Sequence, residues 1–327
     1  MKKIISGLML ILMLTGMLTA CSSTKTTDQK KQLSIVCTVF PEYDWVKEIL
    51  GSHTQDADIT MLLDNGVDLH SYQPTADDII KISTCDLFIY VGGESDKWVA
   101  DALKQATNKA MVVVNLLEVL GNAVKEEEVI EGMESVEEEA ASNEAEEGPE
   151  YDEHVWLSLK SGKILCNYIA GKLSEIDTDH AADYKANAIS YMNQLNTLDQ
   201  SYQQMVDSAK QKTLVFGDRF PFRYLVDDYN LSYYAAFVGC SAETEASFET
   251  IAFLAKKVDD FGLGSVVTIE GTNHKIAETV IQNTKDKNQK ILVLNSMQST
   301  TSLDVKNGTT YLSIMQSNLD VLREALN

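Results

Sequence analysis

The sequence has little proline, little basic charge and a single long apolar run. Only 4 prolines occur in 327 residues, so helices and strands can extend wherever the apolar pattern asks for them. Against 49 acids stand 27 Lys and Arg, a formal net charge of -22. A phosphate backbone is repelled by such a field, which sets nucleic acid aside and favours cations as partners. The 5 cysteines, Cys21, Cys37, Cys85, Cys166 and Cys240, form no metal-clip pattern such as CxxC. The last four read as free buried thiols, with Cys240, in FVGCSAE, the one placed near a site. GxxxxGK[ST], HExxH and GxSxG are all missing, and with them the common signatures of nucleotide binding, zinc hydrolysis and serine hydrolysis.

The apolar run is IISGLMLILMLTGMLTA, after Lys2 and Lys3. It is short for a stable membrane span and reads as a secretory signal over 1–20. Its ending, Leu18-Thr19-Ala20-Cys21, resembles a bacterial lipobox. That resemblance implies a diacylglyceryl group on Cys21, a polar tether over 21–32, and an extracytoplasmic body held on the cell membrane through its lipid anchor.

From Leu33 onward, short β-branched runs alternate with amphipathic stretches: LSIVCTVF, ADITMLL, DLFIYVGG and AMVVVNLL, then TLVFG, LSYYAAF, SVVTIE and KILVLN. Continuous apolar runs separated by helical patterns predict parallel strands covered by helices. The expected fold is α/β, with two parallel-sheet lobes of about four strands each, over 33–177 and 211–327. Between them Tyr184, Ala188, Tyr191, Leu195, Leu198, Tyr202 and Met205 recur every three or four residues with no Gly or Pro, which predicts one linker helix over 178–210. Asp177, Thr178 and Asp179 offer cap oxygens at its start. A single stiff connection makes a nearly preformed cleft.

Charge is concentrated in 126–153, EEEVIEGMESVEEEAASNEAEEGPEYDE, whose removal would take the net charge from -22 to -8. Self-repulsion and the lack of apolar periodicity predict a solvated loop. Two of the 5 histidines lie in proline-marked turns: His70 in HSYQPT, at the carboxyl end of a strand, where open α/β sheets bind ligands, and His154 in GPEYDEHVWLS. His53, His180 and His274 read as surface or helix-start residues.

Taken together, IVCTVFPEYDWVKEILG, DNGVDLHSYQPTADDIIKI, DLFIYVGGESDKW, EHVWLS and the long helix resemble the metal-binding lipoproteins of zinc and manganese ABC importers. The resemblance extends over nearly the whole mature chain. It implies one transition metal held between two α/β lobes and passed to a membrane permease driven by a separate ATPase, with no reaction catalysed and a monomeric protein. It places His70 and His154 on the two N-lobe ligand positions. The C-lobe departs from the pattern. Arg219, in FGDRFPFRYL, falls on one ligand position, where a cation cannot coordinate, and Asn295 falls on the other. Asp218 and Glu270, at the ends of C-lobe strands, are the expected oxygen ligands, with Arg219 paired to Glu243 or Glu245. Two imidazoles with carboxylates suit Zn(II) and also accept Mn(II). The alternatives are a manganese or iron importer component and a surface adhesion lipoprotein with a structural metal.

Overall fold

The structure, a computed structural model, describes residues 32–134, 150–241, 245–271 and 273–327. The signal segment, Cys21, the tether as far as Lys31, the acidic stretch 135–149 and Glu243 lie outside the described residues.

Strands apolar at successive positions need cover on both faces, and the alternation with helices supplies it. In the first lobe β1 (Leu33–Cys37), β2 (Ala57–Met61), β3 (Leu87–Tyr90) and β4 (Val112–Asn115) form a parallel sheet in the order β2-β1-β3-β4. The second repeats the plan with β5 (Thr213–Phe220), β6 (Ser232–Val238), β7 (Ser265–Ile269) and β8 (Lys290–Leu294) in the order β6-β5-β7-β8. In each sheet the chain steps to one side of its first strand and then returns to the other. The crevice at the carboxyl ends of those strands is where such sheets take ligands.

In the N-lobe α1 (Phe40–Leu50), α2 (Ala76–Thr84) and α3 (Val99–Lys104) connect the strands, and α4 (Leu116–Leu120) follows the last. Next come α5 (Leu159–Ile176) and the linker α6 (Ala181–Ser208). The C-lobe carries α7 (Arg223–Asp228), α8 (Phe248–Phe261), α9 (Lys275–Gln282), α10 (Ser302–Lys306) and α11 (Tyr311–Ala325). All seven stripe residues from Tyr184 to Met205 are buried along α6, as their spacing requires. Its start differs from the expected one. Thr178–His180 form a 3-10 turn, the α-helix begins at Ala181, and neither segment has a side-chain cap at its N-cap position. The Asp177 carboxylate instead accepts from the Tyr184 hydroxyl at 2.8 Å and contacts His180 Nδ1 at 2.7 Å.

One continuous core runs from Trp45 of the first lobe through Tyr191 and Tyr202 of α6 to Tyr311 and Leu322 of α11. Polar ties cross it. Tyr311 N–H donates to Asp44 Oδ2 at 2.9 Å, Tyr311 hydroxyl to the Trp156 carbonyl at 2.6 Å, and Trp156 Nε1–H to the Ser296 carbonyl at 2.8 Å. A smaller second core lies under α8 and α9 of the C-lobe. Close packing of this kind resists bending at the lobe junction.

The acidic insert is not solvated throughout. Its described ends are zipped: Glu126 bridges Tyr151 in antiparallel fashion, and Glu127 N–H donates to the Glu150 carbonyl at 2.9 Å. Its first residues then dock on the C-lobe, where Glu134 forms a parallel bridge to Phe237 of the edge strand β6. Arg223 pairs with Glu128 at 2.9 Å and Lys257 with Glu131 at 3.3 Å. Edge-strand hydrogen bonding and basic partners on the C-lobe offset the self-repulsion that predicted a loop free in water.

Candidate metal centre

His70 and His154 come from segments 84 residues apart, yet their Nε2 atoms lie 3.2 Å from one another. Local chemistry fixes each ring. His70 sits in the 3-10 turn Leu69–Ser71, whose cap Asp68 accepts from His70 N–H at 3.0 Å. The chain beyond is pinned by the Thr75/Asp78 capping box of α2, in which Asp78 also accepts from the Tyr72 hydroxyl at 2.9 Å. His154 is fully buried at the start of the turn Val155–Leu157, and Asp152 Oδ1 accepts from its backbone N–H at 2.8 Å.

The far nitrogens of both rings face oxygen. His154 Nδ1 lies 3.1 Å from Asp152 Oδ1; His70 Nδ1 lies 2.8 Å from Ser95 Oγ and 3.5 Å from Glu153 Oε2. A carboxylate on Nδ1 holds the hydrogen there and turns the Nε2 lone pair outward. Two such lone pairs aimed at one point repel unless a proton or a metal ion stands between them. Burial works against charge on His154, but the Asp152 carboxylate overrides it and raises the pKa. Burial and then the neighbouring His154 lower that of His70. Charge on one ring thus disfavours charge on the other.

Around the pair, the lobes meet. Arg219 forms an ion pair with Asp68, an N-lobe carboxylate, and reaches the Ser241 carbonyl at 3.4 Å; of the expected partners Glu243 lies outside the described residues, and no ion pair to Glu245 is seen among them. The Gln298 amide lies between the lobes, one end 3.2 Å from Asp68 Oδ2 and the other 3.2 Å from His154 Nε2. Gly239 backs the His154 ring: a side-chain carbon there would fall 2.9 Å from the Phe220 carbonyl and 3.1 Å from His154 Cε1.

The two expected C-lobe oxygen ligands are not brought to the pair. Strand β5 runs on to Phe220 instead of stopping at Gly217, with a register shift between Phe216 and Arg219. That bulge breaks the alternation of faces and sends Asp218 toward β7, where it accepts from Ile269 N–H at 3.3 Å. Gly217 is required beside it, since a side-chain carbon would lie 2.5 Å from Ala277 Cα. Glu270 holds the loop after β8, accepting from Ser296 N–H at 2.6 Å, Ser296 hydroxyl at 2.9 Å and Gln298 N–H at 3.2 Å. Asn295 closes the same loop on Met297 N–H at 2.7 Å and on Asn318 of α11.

The donor that does converge is Cys240. Its sulfur and the imidazole nitrogens of His70 and His154 lie within 4.8 Å of one another. Burial and the acids nearby push its thiol well above the ordinary range. Cys37, Cys85 and Cys166 are buried free thiols. His53 lies 2.9 Å from Asp183 and stacks on His180 at 4.0 Å, and His274 contacts Thr268 Oγ1 at 3.0 Å. Asp68, Ser95 and Gln298 gave no signal of their own in the sequence. The Asp-Glu-His run at 152–154 did, because a carboxylate two residues before an imidazole can return to it.

A family model described as ZnuA, zinc-uptake complex component A, periplasmic, matches residues 35–325. The chain belongs to that family. It is 31% identical over 296 residues to the zinc-binding protein AdcA of Streptococcus pyogenes, covering 89% of this chain and 56% of AdcA. The chain thus spans a little over half the length of that relative. With the high-affinity zinc uptake system protein ZnuA of Bacillus subtilis it shares 29% identity over 98% of this chain and 97% of the other. The crystal structure of the Zn(II)-bound ZnuA-like domain of Streptococcus pneumoniae AdcA superposes with a TM-score of 0.69 at 27% identity, covering 90% of this chain and 99% of the other. The ZnuA family bears out both the expected architecture and the resemblance to metal-binding importer lipoproteins.

Proposed function

We propose that this chain is the extracytoplasmic metal-capturing component of an ABC-type zinc importer, lipid-anchored through Cys21, that binds Zn(II) reversibly as a monomer and delivers it to a membrane permease served by a separate ATPase. The observation that carries the reading is the buried pair of imidazole Nε2 atoms 3.2 Å apart, each ring backed by a carboxylate. His70 and His154 are the nitrogen ligands. Tetrahedral zinc, with Zn–N near 2.05 Å, sets two nitrogens about 3.3 Å apart, so the pair stands close to ligand spacing without the ion. Asp218 and Glu270 find no support as ligands in their hydrogen bonding. The work is capture and release, with no reaction catalysed.

Family membership, the zinc-binding names of the relatives and the lipobox-like LTAC support this assignment. No helix among the described residues is long and apolar enough to cross a membrane. Thermal unfolding tests it. A ligand bound only by the folded state adds RT ln(1 + [L]/Kd), about 2.7 kcal/mol at ~100-fold excess over Kd. Zinc should raise the melting temperature at near-stoichiometric concentration and calcium or magnesium should do far less; equal shifts with all three would refute a transition-metal site.

A further inference from the structure

The C-lobe wall of the cleft presents a thiol where a carboxylate was expected. Among the described residues, His70, His154 and Cys240 are the one group of three or more His, Cys, Asp or Glu donors that converge. Cys240 follows β6 after Gly239, and it is gripped from the other lobe. Its N–H donates to Glu127 Oε1 at 3.0 Å. Tetrahedral zinc with Zn–S near 2.3 Å needs sulfur about 3.6 Å from each nitrogen; the three atoms are already within 4.8 Å, so side-chain rotation alone can close the set. Asp218 and Glu270 are held by β7 and by the loop after β8.

We infer that Cys240 is the C-lobe ligand of the bound ion, coordinating as a thiolate, and that it sets the preference for zinc over manganese. This rests on the zinc-capture reading and names the donor that reading lacks. On binding, a Zn–S bond forms, the S–H bond breaks, and the proton leaves to solvent. The thiolate offsets one of the two positive charges of the ion; the carboxylates of Asp152 and Glu153, behind the rings, oppose the rest. A sulfur donor favours zinc, whereas manganese prefers oxygen, and two imidazoles alone discriminate weakly.

Cobalt(II) in place of zinc tests the idea on the full chain. The wild type should show a near-ultraviolet sulfur-to-cobalt charge-transfer band, which Cys240→Ser removes. Zinc affinity of that variant should fall at least about tenfold, and the zinc-over-manganese affinity ratio should narrow by a similar factor. As a check independent of variant folding, zinc should slow iodoacetamide labelling of Cys240 in the wild type, read by peptide mass. Cobalt bound without a sulfur band, a band that survives Cys240→Ser, or labelling unaffected by zinc overturns the thiolate and leaves zinc capture standing. Wild type that takes up neither cobalt nor zinc overturns both.

Discussion

The two halves of the site are built on opposite logics. On the N-lobe side each imidazole has a carboxylate behind it, with Asp152, two residues before His154, at 3.1 Å from that ring and Glu153, of the same run, at 3.5 Å from His70. On the C-lobe side the carboxylates have been turned to structural work, Asp218 on β7 and Glu270 on the loop after β8, and Arg219 spans the cleft to Asp68. A ligand whose backing carboxylate lies two residues away, as Asp152 does from His154, can be read from a motif. One placed where distant strand ends meet depends on which face each residue takes, and a single bulge in β5 changes that face.

The largest expected effect lies on the N-lobe side. His154→Ala or His70→Ala should weaken zinc binding by about a hundredfold or more in competition titrations, with the apo circular dichroism spectrum of His70→Ala unchanged. If either variant binds as tightly as wild type, the division between the halves collapses.

Asp152→Asn comes next. It keeps the shape but removes the charge that fixes the His154 tautomer, and a loss of about 10- to 100-fold in affinity is expected. A loss no larger than that of an exposed control such as Asp101→Asn would show that the backing carboxylate only positions the turn.

The lobes also contrast in buried acid. Burial holds Glu42 up at about 8, Asp96 at about 7 and Asp44 at about 6. Glu42 Oε1 and Asp96 Oδ1 are buried with no hydrogen-bond partner, which suits the protonated form. These folded values lie above the unfolded ones, so the folded state binds the extra protons. Their stabilising contribution is complete below about pH 4 and is lost as pH rises through 6, 7 and 8, with a slope of at most ~1.4 kcal/mol per pH unit for each group. Denaturant titrations of the apo protein should show stability falling from pH 5 to pH 8, and Glu42→Gln should flatten the upper part of that fall. An unchanged profile in Glu42→Gln would mean that this acid is ionised throughout.

On the C-lobe side the effects should fall on stability instead of binding. Glu270→Gln removes a charged acceptor from two N–H groups and two hydroxyls, at a cost of about 1–3 kcal/mol, while zinc Kd should stay within about threefold of wild type. Asp218→Asn should likewise leave Kd nearly unchanged. A tenfold loss in either would restore it as a ligand. Smallest of all, His53→Ala and His274→Ala should be silent in zinc binding, since both rings lie outside the converging group.

Much of the fold was legible because its signals are local. The eight strand runs, the buried stripe of α6 and the two histidine turns each declare themselves within a few residues, through β-branched runs, a three-and-four spacing and proline. The acidic insert was misread over its described ends because charge repulsion was weighed without the basic groups Arg223 and Lys257, which come from far along the chain. Arg219 was placed beside acids nearby in sequence, whereas its partner Asp68 is 151 residues away.

The sequence by itself determined two parallel sheets, a stiff connection between them and two imidazoles in proline-marked turns, since periodicity and turn chemistry act over one or two turns of chain. Only the tertiary structure decided which C-lobe donor meets them. That choice rests on the β5 bulge that turns Asp218 away, on Gly239 letting the chain press against His154, and on Glu127 holding Cys240. These are contacts between segments far apart in the chain, whose directions no local pattern encodes.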